Sequence, residues 1–479
     1  MEDIVLNIKN LYRSLHASDW DLLQKIPQSG GDRVYFRIIQ GGQSWIATYN
    51  RNIKENQTFI YFSNHFASKW LPVPRVLASS EDGHYYIQED VGTDSLLDVL
   101  EKEGKTERVF GLFQKSLKSL AELQVKGGEG LDYQKCLTSK EFGKQSIMTD
   151  LLYYKYYFLD TLQYPYDKQA LMNEFELLGD QLASAQFNHF LFRDFQSRNI
   201  IVKNDDVYFI DFQGGMKGGL SYDVASLLWQ AKAELSAEWK EKLLAYYIEQ
   251  VQLLLPSGLD KAAFVKQYQG FVLLRLLQVL GAYGFRGLFE RKAHFLASIP
   301  LGLKNLNHFL QLYPLQKDTP VFGSILSWMV SDEVLERFTP PVATEATPLH
   351  ITVNSFSYKK GIPKDHSDNG GGFVFDMRGI LNPGRFDEYK KLSGLDKPVQ
   401  DFLEQRTKMN VFLNSVWDLV DINVEDYLKR GFESLHINFG CTGGQHRSVF
   451  AAEQTARHLR NKYKVKVTLT HTNKENWVK

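Results

Sequence analysis

The sequence predicts an α+β fold. A two-lobed unit, with a small β-rich lobe and then a larger helical one, is followed by a separate small α/β domain. Three observations predict it. Strand-forming runs crowd residues 1–92, and helical patterning takes over from Ser95. A Pro-containing stretch without apolar periodicity, 339–348, parts two different patterns. The chain has 479 residues, more than one ordinary core organises.

In the first lobe, Val34–Ile38 and Ser44–Tyr49 flank a Gly41-Gly42 turn and read as two strands. A helix-like segment starts near Glu55, and His84–Ile87 is again strand-like. Residues 1–92 therefore read as a small sheet with one helix. Leu96, Leu97 and Leu100 open a helix, and helical patterning runs to about Ala185. A compact β segment covers Ile200–Asp211, and helices resume from Tyr222 to about Tyr313, within a large lobe at 93–338. After the linker candidate at 339–348, Leu349–Phe356 and Phe373–Met377 read as strands. Val411–Tyr427 reads as a helix, Ser434–Phe439 as a strand and Ser448–Lys462 as a helix. Together they make an α/β domain at 349–479, with His366–Gly372 as a loop.

Composition narrows the class. Lys+Arg and Asp+Glu each total 56, so no global basic field for nucleic acid exists. The two cysteines, Cys136 and Cys441, lie far apart with no pairing or metal-ligand pattern, which fits a reducing compartment. The N-terminal stretch Met1–His16 lacks an apolar signal-peptide core, and no long uninterrupted apolar run occurs. The expectation is a cytoplasmic protein with no membrane partner.

The chemistry concentrates at Phe192–Asp211. Two apolar runs, Ile200–Lys203 and Val207–Asp211, flank the turn-prone Asn204-Asp205-Asp206 and predict a hairpin. With Lys203 and Val207 flanking the turn, Asn199 falls opposite Asp211. An amide oxygen and a carboxylate at neighbouring strand ends suit Mg²⁺, a hard cation that takes oxygen ligands and leaves positions for phosphates. Asp194, five residues before Asn199, suits the carboxylate that accepts a hydroxyl proton and orients the nucleophile. The D-x-x-x-x-N spacing followed by D-F is the kinase pattern. The bland alternative is three polar residues in a surface turn, against which the spacing and flanking apolar runs count together.

Arg193-Asp194-Phe195-Gln196-Ser197-Arg198-Asn199, Ile210-Asp211-Phe212-Gln213-Gly214-Gly215 and Ser221-Tyr222-Asp223-Val224-Ala225-Ser226-Leu227-Leu228 resemble the aminoglycoside phosphotransferase/choline kinase-like family. Within it they look most like the anomeric N-acetylmuramate/N-acetylglucosamine kinases. The resemblance spans about residues 1–335. It implies a protein-kinase-like fold and ATP- and Mg²⁺-dependent transfer to an amino-sugar hydroxyl. It also implies Asp194 as catalytic base, Asn199 and Asp211 as metal ligands, and Asp223 as the brace of the catalytic loop. Asp223 reads equally as a helix N-cap. Two positions depart from the pattern. Phe192 stands where the family has His, and Tyr49-Asn50 ends the strand that carries a phosphate-binding lysine in protein kinases. Arg51 and Lys54 are candidate stand-ins.

Ser29-Gly30-Gly31-Asp32-Arg33 precedes the first strand, where glycines let backbone N–H groups approach a triphosphate. The plain alternative is an ordinary turn. Gly30, Gly31, Asp32 and Arg33 are taken as nucleotide-binding candidates. Glu89, within Gln88–Gly92, falls where the adenine-binding hinge between lobes is expected.

In the last domain, a predicted strand ends at Gly440, and Cys441-Thr442-Gly443-Gly444-Gln445-His446-Arg447-Ser448 leads into a helix. A glycine-rich turn opening a helix offers free N–H groups and the positive helix end to an anion. His446 and Arg447 add donors. The same letters fit the thiolate loop of tyrosine-phosphatase-like enzymes, with Cys441 as nucleophile and Arg447 as clamp. The wider pattern differs. Asn354–Pro363, Phe375–Arg378, Leu381–Gly384, Ser393–Asp396 and Gly440–Ser448 resemble the C-terminal domain of the RapZ RNase-adapter family, with Lys360 where that family has His. That resemblance implies binding of a hexosamine phosphate by Cys441, Thr442, Gly443, Gly444, His446, Arg447 and Ser448, and a protein or RNA-processing partner.

The combined expectation is an amino-sugar kinase fused to a hexosamine-phosphate-binding domain, acting in peptidoglycan sugar recycling. Two alternatives stand beside it: a nucleotide-binding regulatory adapter without kinase activity, and a Cys441-dependent phosphatase.

Overall fold

The computed structural model describes every residue except 1, 17, 27–32, 185–187, 314–318, 366–370 and 479. The chain divides into two compact units, Met1–Leu335 and Glu336–Lys479.

The first unit opens with α1 (Glu2–Leu15), β1 (Leu22–Ile26), β2 (Val34–Gln40), β3 (Gln43–Tyr49), α2 (Ile53–Ser68), β4 (Val76–Ser79) and β5 (Tyr85–Glu89). The strands form one antiparallel sheet in the order β1-β2-β3-β5-β4. Gly41 and Gly42, at φ 55° and 79°, make the two-residue β2–β3 turn that glycine permits without strain. The sheet has two faces because side chains alternate. Ile38, Ala47, Tyr85 and Ile87 pack with Ile8 and Tyr12 of α1, and Tyr49 joins this side. Tyr86 lies on the other face and stacks on Phe59 of α2. The lobe therefore has two helices, α1 and α2, rather than the single helix expected. The apolar letters of α1 recur at helical spacing, and Ile4, Val5 and Leu11 join Ile8 and Tyr12 against the sheet.

The chain then enters α3 (Leu96–Glu103), α4 (Glu107–Val125), α5 (Lys144–Tyr157) and α6 (Lys168–Ala183). Ser95 and Asp98 form a reciprocal capping box that starts α3 at the lobe junction. Four short strands follow: β6 (His189–Leu191), β7 (Ile200–Lys203), β8 (Asp206–Phe209) and β9 (Met216–Gly218). They pair as the ribbons β6–β9 and β7–β8. The unit is completed by α7 (Ser221–Leu228), α8 (Ala237–Leu254), α9 (Lys261–Tyr283), α10 (Ala293–Leu296), α11 (Ile299–Leu312) and α12 (Pro320–Met329). The short α13 (Asp332–Phe338) runs across the division between the units.

Helix α9, continued to Phe289, is long and apolar enough to cross a membrane by length and composition alone. In the fold it packs on α5 and α7, burying Phe271, Leu274, Leu277 and Leu280 in the core of the helical lobe.

The second unit holds β10 (His350–Ser357), β11 (Phe373–Asp376), α14 (Lys397–Arg406), α15 (Met409–Arg430), β12 (Ser434–Cys441), α16 (Arg447–Tyr463) and β13 (Lys466–His471). The strands form a parallel sheet ordered β11-β12-β10-β13. Ile351, Val353, Ile437 and Phe439 of the sheet bury against Val416 and Val420 of α15 and Leu459 of α16. Within this unit, Ala343 donates its N–H to Tyr463 O at 2.7 Å, so the middle of the Pro-containing stretch is tied to the end of α16.

Candidate functional site

The catalytic-loop candidate lies between β6 and β7, and Asp223 of α7 anchors it from below. Asp223 is fully buried, accepts the backbone N–H of Phe192 at 2.8 Å and of Arg193 at 3.0 Å, and accepts the side-chain amide of Gln124, whose Nε2 donates to Asp223 Oδ2 at 2.9 Å. Burial pushes its carboxyl up to about 7, against the pull of these donors. Asp223 lies in the first turn of α7, yet its bonds run to the loop thirty residues back rather than capping its own helix.

Arg193 stands at φ 82°, a region that L residues rarely adopt. Besides the Asp223 bond, its guanidinium donates to Asp150 Oδ1 at 2.7 Å and Tyr222 Oη at 2.6 Å, and lies over the Phe142 ring at 4.6 Å. The strain at Arg193 is thus held from four sides, and it turns the next residue, Asp194, outward.

Asp194 is 47% exposed, in contrast to its buried neighbours. Arg275 of α9, only 4% exposed, places Nη1 3.6 Å from Asp194 Oδ1. The same Nη1 donates to Gln278 Oε1 at 2.9 Å and Tyr222 Oη at 3.2 Å. Neither Arg275 nor Asp150 was among the sequence candidates. Arg275 carries a signal in retrospect: it is one cation inside the apolar run Phe271–Leu277, and buried arginines are rarely without a partner.

Asn199 is 8% exposed and donates from Nδ2 to Asp194 O at 2.9 Å. Its amide nitrogen is committed to the loop, so its oxygen is the end suited to a cation. The β7–β8 hairpin corrects the expected register by one residue. Lys203 pairs with Asp206 around the two-residue turn Asn204-Asp205, both at positive φ (53° and 61°). Asn199 therefore lies opposite Ile210, whose N–H it accepts at 3.0 Å. A one-residue slip alone would turn Asp211 to the other face. Asp211 itself lies past the end of β8, at φ 69°.

Asp211 accepts Arg33 Nη2 at 2.7 Å and Gln213 Nε2 at 2.9 Å. Burial works to raise its carboxyl, but Arg33, Gln213 and Arg198 outweigh that and hold it below its ordinary value. Among the described residues, no cluster of three or more His, Cys, Asp or Glu could hold a metal by itself. Asp211 and Asn199 fit the different requirement of Mg²⁺, one carboxylate and a hard amide oxygen with phosphates completing the shell.

Phe192, at the position of the family His, is fully buried and meets Phe195 at 5.3 Å and Phe212 at 6.4 Å. Phe212 stacks on Phe59 of α2 at 4.7 Å, and Phe59 on Tyr86 of β5 at 5.0 Å. A continuous aromatic column thus supports the loop where a hydrogen-bonding His would.

Gly30, Gly31 and Asp32 lie outside the described residues; Arg33 is described. Glu89 ends β5, next to the crossing into the helical lobe, with its carboxylate taken by Arg75 Nε at 2.8 Å and Arg75 N at 3.0 Å.

In the second unit, Cys441 ends β12 and Arg447 begins α16. Cys441 is 2% exposed, and its Sγ lies 3.1 Å from Ser448 Oγ and accepts Gly444 N–H at 3.2 Å. Gly444 stands at φ 62°, where a Cβ would also meet Asn473 Cβ and Ser357 N at 3.0 Å. Thr442 and Gly443 are exposed at the loop tip. His446 and Arg447 turn inward. His446 Nε2 lies 2.9 Å from Tyr389 O, and Arg447 Nη1 donates to Ile380 O at 2.8 Å and Arg378 O at 3.0 Å. Both brace the loop against the segment after β11, and the loop's backbone faces outward at Thr442 and Gly443.

Comparison with known proteins decides the family. The phosphotransferase enzyme family matches residues 23–264, and the RapZ C-terminal domain matches 349–475. The chain belongs to the phosphotransferase enzyme family. Its second unit is a RapZ C-terminal domain. A "Nucleotide-binding protein" of Lactobacillus helveticus (strain DPC 4571) is 41% identical over 121 residues, covering 25% of this chain and 40% of that one. Another, of Glaesserella parasuis serovar 5 (strain SH0165), is 31% identical over 233 residues, covering 48% and 75%. The phosphotransferase chain thus spans about two fifths of the length of the first of these relatives, 40%. Among solved structures, aminoglycoside phosphotransferase APH(4)-Ia is similar at 16% identity and TM-score 0.43, covering 65% of this chain and 99% of its own. At that score the likeness adds nothing to the family assignment.

Proposed function

We propose that the first unit is an ATP-dependent kinase of amino sugars of the N-acetylmuramate/N-acetylglucosamine type, acting at the anomeric hydroxyl. The observation that carries the phosphotransfer reading is the braced loop: Asp223 and Asp150 fix Arg193 in a strained conformation that turns Asp194 outward, with Asn199 bonded to the Asp194 carbonyl. Strain maintained by several buried bonds is expected at a site rather than in a surface turn.

In this reading Asp194 accepts the sugar hydroxyl proton and orients its oxygen toward the γ-phosphorus. The bond between that phosphorus and the β,γ-bridging oxygen breaks, the bond to the sugar oxygen forms, and ADP leaves. Asn199 and Asp211 would hold Mg²⁺, which would neutralise phosphate charge. Gly30, Gly31 and Asp32 address the phosphates, and the backbone around Glu89 addresses the base. The RapZ C-terminal domain binds a hexosamine phosphate at Cys441–Ser448, through backbone N–H groups at the exposed tip. Burial of Cys441 and the inward turn of Arg447 support binding over hydrolysis at that loop. An amino-sugar phosphate at both units gives the fusion a common chemistry, in cytoplasmic recycling of peptidoglycan sugars.

A panel of amino sugars with ATP and Mg²⁺, read by ADP release in the full chain, tests this. Release should depend on one or few amino sugars and vanish in Asp194→Ala. Release without a sugar, or unchanged in the variant, would remove the kinase assignment. The second reading, a nucleotide-binding regulatory adapter with a protein or RNA-processing partner, is favoured in its nucleotide-binding part by the printed name of the relatives, "Nucleotide-binding protein". ATP binding without a phosphorylated sugar would support it.

A further inference from the structure

The strand that carries a phosphate-binding lysine in protein kinases has none here, and the geometry around it is specific. Tyr49 packs on the α1 side of the sheet, away from α2. Thr48, on the opposite face, is fully buried. Neither of the two stand-ins suggested by sequence is buried. Lys54 is exposed and donates from Nζ to Leu137 O at 2.7 Å, and Arg51 is exposed.

Arg33, at the entry to β2, reaches Asp211. Its side chain is 16% exposed, with Nε 3.4 Å from Glu55 Oε1 of α2 and Nη2 2.7 Å from Asp211 Oδ1. Its guanidinium carbon lies 5.8 Å from the Tyr35 ring centre. Glu55 is itself fixed: Asn50 Nδ2 donates to Oε2 at 2.8 Å, and the N-cap Asn52 accepts the Glu55 N–H at 3.2 Å. A cation is thus held between a helix carboxylate of the small lobe and the carboxylate that follows the catalytic hairpin. In protein kinases a lysine–glutamate ion pair and a metal-binding aspartate must likewise both be in place.

We propose that Arg33 is the phosphate-binding cation of this kinase, supplied from β2 in place of the missing β3 lysine, with Glu55 as its positioning residue. The inference rests on the kinase reading above and deepens it. An arginine fork suits the task, because one edge can stay on Glu55 while an Nη group exchanges one oxygen for another. Without nucleotide that oxygen is Asp211 Oδ1. With nucleotide, Arg33 Nη2 transfers to a phosphate oxygen and the Asp211 carboxylate is released to a cation. Charge is conserved at each partner: Arg33 trades one anion for another, and Asp211 trades one cation for another. A consequence separates this from a plain interlobe clamp. When metal is absent, Asp211 competes with phosphate for Arg33, so removing the Asp211 charge should tighten metal-free nucleotide binding.

The test measures ADP affinity by calorimetry on the full chain, in EDTA and in Mg²⁺, together with KM for ATP against kcat. Arg33→Ala should weaken ADP binding and raise KM for ATP roughly ten- to hundredfold, the range for a charge-assisted contact. Arg33→Lys should recover part of that loss. Glu55→Gln, which leaves Arg33 in place, should shift KM in the same direction by less. Asp211→Asn should bind ADP more tightly than the unaltered chain in EDTA, and more weakly in Mg²⁺. Melting temperatures of each variant confirm folding. ADP affinity and KM within twofold of the unaltered chain in folded Arg33→Ala, or no tightening in Asp211→Asn, would overturn the proposal. If the unaltered chain binds ADP but phosphorylates nothing, the kinase reading fails while the affinity series still decides the role of Arg33. If it binds no nucleotide, both fail.

Discussion

Asp223 accepts the backbone N–H of Arg193 at 3.0 Å, and Arg193 stands at φ 82° directly before the outward-facing Asp194. A buried carboxylate therefore determines the direction of the proposed catalytic base without touching it.

Replacing Asp223 by Ala leaves the N–H groups of Phe192 and Arg193 buried and unpaired, at about 1–3 kcal/mol for each. Melting temperature should fall, and kcat should fall at least about tenfold as the loop relaxes. Asp223→Asn keeps one acceptor oxygen and should lose less on both counts. A kcat unchanged in folded Asp223→Ala would remove its bracing role.

The same group predicts a pH dependence. Its folded value of about 7 lies above the ordinary 3.8, so the native state binds the proton more tightly than the unfolded chain. The associated stability is fully present below the ordinary value and is lost as pH rises through about 7. Urea unfolding of the unaltered chain against Asp223→Asn should show the difference shrinking across that interval. A constant difference would mean that Asp223 does not titrate there.

Arg275 bears on Asp194 by charge and position. Arg275→Met removes the cation 3.6 Å from the carboxylate while keeping most of the side-chain volume. The expected result is a fall in kcat of about tenfold with KM for ATP within twofold, because the proposed nucleotide contacts lie on other elements. A loss confined to KM would place Arg275 in nucleotide binding instead.

The RapZ C-terminal domain makes a contrasting prediction. Cys441→Ser retains a small acceptor for Gly444 N–H and Ser448 Oγ, so hexosamine-phosphate binding should change less than about threefold. Neither form should hydrolyse p-nitrophenyl phosphate. Hydrolysis lost in Cys441→Ser would establish a phosphatase and contradict the binding reading.

Legibility followed the range of the interactions. The D-x-x-x-x-N spacing and the β7–β8 hairpin are local, and both could be read from letters. The register was one residue off because three polar residues, Asn204–Asp206, suggested a longer turn than the Asn204-Asp205 turn that forms. Tyr49 marked the absence of a lysine but not its replacement. The contact of Arg33 with Asp211 joins residues 178 apart, and no periodicity encodes it. Arg275 and Asp150 were hidden for the same reason, each in a helix whose other letters describe packing. His446 and Arg447 show a further limit, since the letters beside a glycine loop do not tell that their side chains bond to the backbone of Tyr389, Arg378 and Ile380.

The most direct test of the central claim is phosphorus NMR and mass analysis of the full chain incubated with ATP, Mg²⁺ and N-acetylmuramate or N-acetylglucosamine. The account predicts one new sugar-phosphate signal coupled to the anomeric proton, formed in equal amount with ADP and absent with Asp194→Ala. ADP-bound protein that yields no phosphosugar from either substrate, or a product formed equally by Asp194→Ala, would contradict it.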